Sequence, residues 1–151
     1  MTPRPDTARL LDLRPHPEGG WYRRIYTSPV TLTLPAGRGE RPSATLIHYL
    51  LAPGEESHWH TVAGDEIWLW HGGGPLTLRI TPPGPAPTAP TVPTEHLLGP
   101  HTAPGTTLQA LVPAGHWQSA RPSEDRETLV SCLVTPGFDF ADFTLLTPDE
   151  A

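Results

Sequence analysis

Apolar and polar positions alternate with a period of two along most of this chain. WYRRIYT (21–27), SATLIHYLL (43–51), EIWLW (66–70), LTLRI (76–80), TLQALV (107–112), HWQSA (116–120) and TLVSCLV (128–134) each read as a short strand. Gly, Pro or charged turns separate them, and SHWH (57–60) adds an eighth. In a strand, such alternation sends one set of side chains to a core and the other to water. The period lengthens only near the N-terminus. There Asp6 or Thr7 can cap a short helical turn carrying Leu10, Leu11 and Leu13, stopped by Pro15 and Pro17. Towards the other end, FDFADFTLL alternates aromatic with acidic residues and predicts a closing turn and strand. At least eight short strands predict an all-β barrel or jelly roll.

Composition narrows this further. The chain holds 21 prolines and 14 glycines in 151 residues, and proline is excluded from helix interiors and central strands. PPGPAPTAPTVPT (82–94) cannot join a ladder. It predicts an extended surface loop, not a linker, because the strands on both sides look incomplete alone. One domain over residues 1–151 is expected, with a core of its own. A formal charge of −6, no lysine and scattered arginines argue against nucleic acid or an anionic membrane as partner. No stretch approaches a membrane span, and residues 1–13 lack the apolar core of a signal peptide. The lone cysteine, Cys132, excludes an internal disulfide and suits a reducing compartment, and its apolar neighbours predict a buried structural thiol. A soluble cytoplasmic protein is the expectation.

The chemistry concentrates in HWHTVAGDEIWLWHGG (58–73). Strand parity places His58 and His60 on one face, where paired imidazoles can chelate a divalent metal. Five residues separate His60 from Glu66, enough for a turn that returns Glu66 beside the histidines on the next strand. If the turn is one residue shorter, Asp65 is the carboxylate. Two imidazoles and a carboxylate make a facial set with open positions. Trp68 and Trp70 share the parity of Glu66 and would wall a pocket as platforms for a flat ring or a sugar. Glu18 with Arg23 could grip a polar ligand, or stitch the N-terminal segment to the barrel as a buried salt bridge. Gln109 and Gln118, with Trp117 between, lie on successive strands as ligand contacts or as a hydrogen-bonded core pair.

His-x-His, a short gap, Glu66, six residues and then Gly73 resembles the first motif of the cupin superfamily. PAGHWQ (113–118) matches the proline and glycine of the second motif at Pro113 and Gly115, with Gln118 where that motif carries histidine. LRPHPEGGWYRRIYTS, SATLIHYLLAPGEESHWH, DEIWLWHGGGPLTL, LVPAGHWQSA and LVSCLVTPGFDFADF together resemble the Cupin_5 (DUF985) family, from about Leu11 to Phe143. The resemblance implies a cupin jelly-roll antiparallel β-barrel with a pocket in its mouth, here carrying a short N-terminal helix. It also implies a homodimer. It implies no settled activity.

Three functions follow as expectations. The first is a metal-dependent enzyme acting on a small polar or carbohydrate-like molecule. His58, His60, Glu66 and Gln118 would hold a divalent zinc, iron, manganese or nickel ion, which polarises a carbonyl or binds oxygen. The second is a metal-free, sugar-epimerase-like isomerase with His60 as general base, oriented by Asp65 or Glu66. The third is a small-molecule-binding barrel without catalysis. Under the metal-free and binding readings, His60→Ala is expected to abolish binding or turnover while leaving the melting temperature nearly unchanged.

Overall fold

The computed structural model describes residues 3–88 and 90–146. The chain begins with α1 (Asp6–Leu10) and the strands β1 (Arg14–Pro15), β2 (Trp21–Thr27), β3 (Thr31–Thr33), β4 (Glu40–Pro42) and β5 (Thr45–Leu51). The central strands are β6 (Ser57–Val62), β7 (Asp65–Gly73), β8 (Leu76–Thr81) and β9 (Thr94–Leu98). The last are β10 (Gln109–Val112), β11 (Trp117–Pro122), β12 (Thr128–Thr135) and β13 (Phe143–Leu145). One sheet orders β1-β2-β5-β12-β7-β10, and a second orders β13-β6-β11-β8-β9, while β3 and β4 form a separate hairpin. Every strand pairing within the three sheets is antiparallel. Among the described residues no ladder joins the two large sheets edge to edge. The all-β reading thus takes the form of two facing antiparallel sheets.

Register explains why the sheets face each other. In the six-stranded sheet, Thr45, Val134, Glu66 and Val112 lie in one cross-strand row, and Ile47, Cys132, Trp68 and Ala110 in another. Trp68 and Cys132, with Tyr49 and Val130 from the next inward row, pack against Leu76, Leu78, Leu98 and Ala120 of the other sheet. Alternating inward residues of two stacked sheets are what fill such a core. The intervening rows, Leu46, Leu133, Ile67 and Leu111 among them, point the other way and keep partial exposure.

Helix α1 is only five residues long and has no side-chain cap. Pro5 stands at its N-cap, and the Thr7 hydroxyl, expected as a cap, donates instead to Glu127 at 2.6 Å. So short a helix depends on packing, and Ala8 with Leu13 buries against Trp21 and Leu50 on the outer face of the six-stranded sheet. Strand β9 has no counterpart in the alternation, because Thr-Glu-His-Leu-Leu does not alternate. It forms by pairing with β8. Between them, the described residues of 82–93 carry no strand, as their prolines dictate. No helix among the described residues is long and apolar enough to cross a membrane.

Candidate functional site

Strand β6 does not keep its alternation. His60 pairs with Gln118 of β11 while Ser57 pairs with Ala120, so three steps on β6 answer two on β11. One extra residue makes a bulge, which re-aims the side chains on either side of it. Ser57 and His60 therefore both point inward and are buried, and His58 is turned out. The His58 side chain is 44% exposed and pairs with Glu56 at 3.0 Å. The expectation that both imidazoles share a face is thus corrected by a single residue of register.

The partner of His60 comes from the start of the chain. Residues 16–20 form the turn between β1 and β2, closed by His16 N–H donating to the Gly20 carbonyl at 2.9 Å. Gly19 and Gly20 have φ of +107° and +75°, the left-handed region that glycine adopts without strain. A Cβ on Gly19 would stand 2.1 Å from the Glu56 carbonyl oxygen, so Gly19→Ala should be strongly destabilising, by roughly 2 kcal/mol or more. Chemical denaturation would check it. This tight turn drops the Glu18 side chain into the interior, where it is 6% exposed.

Glu18 is held on three sides. His60 Nδ1–H donates to Glu18 Oε2 at 2.8 Å and shares that proton with its own neighbour, the His58 carbonyl, at 2.7 Å. Ser57 Oγ donates to the same carboxylate oxygen at 2.7 Å. His16 Nδ1 accepts from the Glu18 backbone N–H at 3.0 Å, which leaves its proton on Nε2. Burial raises the Glu18 carboxyl, but His60, His16 and the hydrogen bonds outweigh it and hold the group below the usual range. For His60 the balance runs the other way from burial too. Desolvation lowers it, while Glu18 and, more weakly, Glu66 raise it to about 9. At neutral pH the pair is a buried imidazolium–carboxylate. The second ring nitrogen, Nε2, has no hydrogen bond to a described residue and is the polar atom of His60 left to the cavity.

The opposing carboxyl is Glu66, on the six-stranded sheet. Gln118 bridges the sheets: its Nε2 donates to Glu66 Oε1 at 2.8 Å, and its Oε1 accepts from the Trp68 indole at 2.8 Å. The Cys132 thiol also donates to Glu66, and burial pushes that thiol well up. Desolvation, partly offset by His60, raises Glu66 to about 7. Two titratable groups with opposite preferences thus face one space. That cavity encloses about 690 Å³, within the range of roughly 300–1,000 Å³ common for small-molecule sites. His16, Glu18, His60, Glu66 and Cys132 line its floor. Phe138, Phe140 and Phe143, all the phenylalanines of the chain, form one wall.

A family model described as "Cupin superfamily (DUF985)" matches residues 6–146. The chain belongs to this cupin family. Protein SO0799 from Shewanella oneidensis is 35% identical, with 99% of this chain and 87% of that one covered, at a TM-score of 0.81. A hypothetical protein from Leishmania major is 32% identical over 95% of this chain and 86% of that one, also at 0.81. The uncharacterized protein YML079W of Saccharomyces cerevisiae is 28% identical, covering 89% of this chain and 71% of the yeast protein.

The donor set of this cupin does not suit the metal that the resemblance implies. Among the described residues no three His, Cys, Asp or Glu side chains converge as ligands. His58 is turned away with Glu56, His60 Nδ1 is committed to Glu18, and both ends of the Gln118 amide are engaged. Of the expected set, His60, Glu66 and Gln118 do come together. Asp65 does not join them: exposed at the start of β7, it accepts the Ala114 N–H at 2.8 Å.

Other expected contacts move as well. Arg23 lies at the cavity edge but does not pair with Glu18, whose partners are the two histidines and Ser57. Trp68 stands behind Gln118, and Trp70 donates to the Gly74 carbonyl, so neither indole lines the cavity. Trp117 faces away from Gln118 and donates to Gly84 of the proline loop, and Gln109 lies exposed on β10. The residues missed were His16, Tyr22 and the three phenylalanines. The clustering of every phenylalanine in FDFADF was the available signal.

Proposed function

We propose that this cupin is an isomerase-type acid–base enzyme that moves a proton on a small polar carbonyl compound held in its jelly-roll pocket. One observation carries the reading: the imidazolium of the Glu18–His60 pair and the Glu66 carboxyl, raised to about 7, open onto the same cavity. A base near neutrality and a fixed cationic donor are what enolisation needs. In the proposed step Glu66, ionised, takes the proton from the carbon beside the carbonyl. His60 Nε2–H donates to the carbonyl oxygen as negative charge develops there. Glu66 then returns the proton to the former carbonyl carbon while the adjacent hydroxyl gives its proton back to His60, which yields the isomer with both groups restored. The roles are the reverse of those expected from the motif, because Glu18 keeps His60 protonated. Nothing in this step calls on His58 or on a metal.

The test uses deuterium oxide and a panel of aldoses, ketoses and 2-oxo acids, followed by proton NMR. The protein should exchange an α-proton of at least one of them. Glu66→Gln and His60→Gln should each slow this by roughly 10²–10⁴-fold. The rate should be bell-shaped, highest between the Glu66 value of about 7 and the His60 value of about 9. Exchange surviving in both variants would refute the assignment, and binding without any exchange would point to a non-catalytic barrel.

The reading includes a cytoplasmic homodimer. What supports the dimer is the outward row of Leu46, Leu133, Ile67 and Leu111, the last 52% exposed, on the six-stranded sheet. Such a face suits a second copy related by a two-fold axis. Sedimentation should give a dimer mass, and Leu111→Asp should shift it towards the monomer. A monomer at every concentration would contradict this.

A further inference from the structure

The mouth of the cavity is charged in a way its floor is not. Asp12, Arg14, Arg23, Arg24 and Asp139 line the cavity and are exposed, so they ring its opening. The two acids are already engaged. Asp12 pairs with Arg4 at 3.3 Å, and Asp139 accepts the Ala141 N–H at 2.8 Å. Arg24 spends one N–H on the uncharged Phe138 carbonyl at 3.0 Å. The Arg14 guanidinium makes no ion pair or hydrogen bond with a described residue. Arg14 and Arg24 therefore turn their guanidiniums to the opening, in a chain whose formal charge is −6. Arg23, opposite His48 in the outward row that continues from Trp21, lies on its outer edge. Within the cavity, by contrast, the Glu18 charge is matched by His60.

We infer that the substrate carries an anionic group, a phosphate or a carboxylate, which Arg14 and Arg24 hold at the cavity mouth while its carbonyl end reaches His60 and Glu66. This rests on the proton-transfer reading for the carbonyl end and deepens it by naming the substrate class. Guanidinium forks suit planar carboxylates and phosphates, and each charge-assisted hydrogen bond is stronger than a neutral one. The acidic remainder of the surface repels anions, so a cationic rim is also where an anionic substrate is steered. Phe140, half-exposed at the same opening, and Phe143 below it give the uncharged middle of the molecule an apolar wall.

Calorimetric titration of the intact protein with glucose 6-phosphate, glucuronate, inorganic phosphate and glucose tests the inference. At least one of the sugar anions should bind roughly tenfold or more tightly than glucose, and the two sugar anions separate phosphate from carboxylate. The Arg14→Gln/Arg24→Gln double variant should lose that preference, by roughly tenfold or more, with its melting temperature nearly unchanged. Added salt should weaken the wild type more than the variant. Glucose binding as tightly as the anions, no binding by any anion, or full affinity in the double variant would each overturn it. Titrating Glu66→Gln in parallel separates the two ideas. Anion binding retained there, with wild-type proton exchange absent, counts against the enzyme reading alone. Exchange of uncharged sugars with no anion preference counts against this one alone.

Discussion

Replacing His60 with alanine is expected to lower the unfolding free energy by roughly 3–5 kcal/mol, the usual cost of deleting one partner of a buried ion pair. The Glu18 carboxylate is 6% exposed, and His60 supplies its cation and one of its hydrogen bonds. Without the ring, Ser57 alone donates a side-chain bond to that oxygen, and a charge that is only 6% exposed loses its counter-ion. For a domain of this size the melting temperature should fall by roughly 6–20 °C. The motif alone predicted little change, because it assigned His60 to a pocket and did not reveal its buried partner. Removing both charges is the control. Glu18→Ala/His60→Ala should cost less than the two single substitutions summed, since neither charge is then stranded. A His60→Ala melting temperature within about 2 °C of wild type would mean that Glu18 is solvated or already protonated.

Stability should fall from near pH 5 into the alkaline range, on the order of several kcal/mol in all. The fall should be steepest above pH 6.5, below which the lowered His16 value opposes the decline. The direction follows from which state holds more protons. Glu66 titrates near 4.5 when unfolded and at about 7 when folded. Between those values the folded chain keeps a proton that the unfolded chain has lost, so rising pH favours unfolding. His60 repeats this between 6.5 and about 9. Glu18 acts oppositely: its folded value is lowered, so the stability it adds is present above 4.5 and is lost as pH falls below. Thermal unfolding across pH 4 to 9 would check the profile. Glu66→Gln should flatten the decline between about pH 4.5 and 7 while leaving the alkaline part in place. An unchanged decline in that variant would show that another group governs it.

The strands were legible because period two persists through them, and the family was legible because its motifs sit on those strands. WYRRIYT is strand β2 residue for residue, and FDFADFTLL supplies β13 as expected. Glu66 and Gln118 followed from parity on regular ladders. His58 failed on the same rule, since a bulge leaves no mark in the letters HWH and breaks the count by one. The Glu18–His60 pair joins residues distant in sequence, and only the three-dimensional turn at Gly19 and Gly20 brings them together. Trp68 was assigned to the pocket wall because parity gives a face, but not which layer of that face a large side chain occupies.

The cavity is assembled from both extremes of the described chain: Glu18 enters its floor from the first hairpin, and Phe138, Phe140 and Phe143 close its wall. During synthesis, then, the two sheets can begin to pair while one side still gapes. Until the wall docks through Asp142 onto Arg41, at 2.8 and 3.0 Å, the nascent chain exposes the apolar lining of its own site. A chain cut short before Phe138 would therefore be a half-built vessel and a ready client for a chaperone.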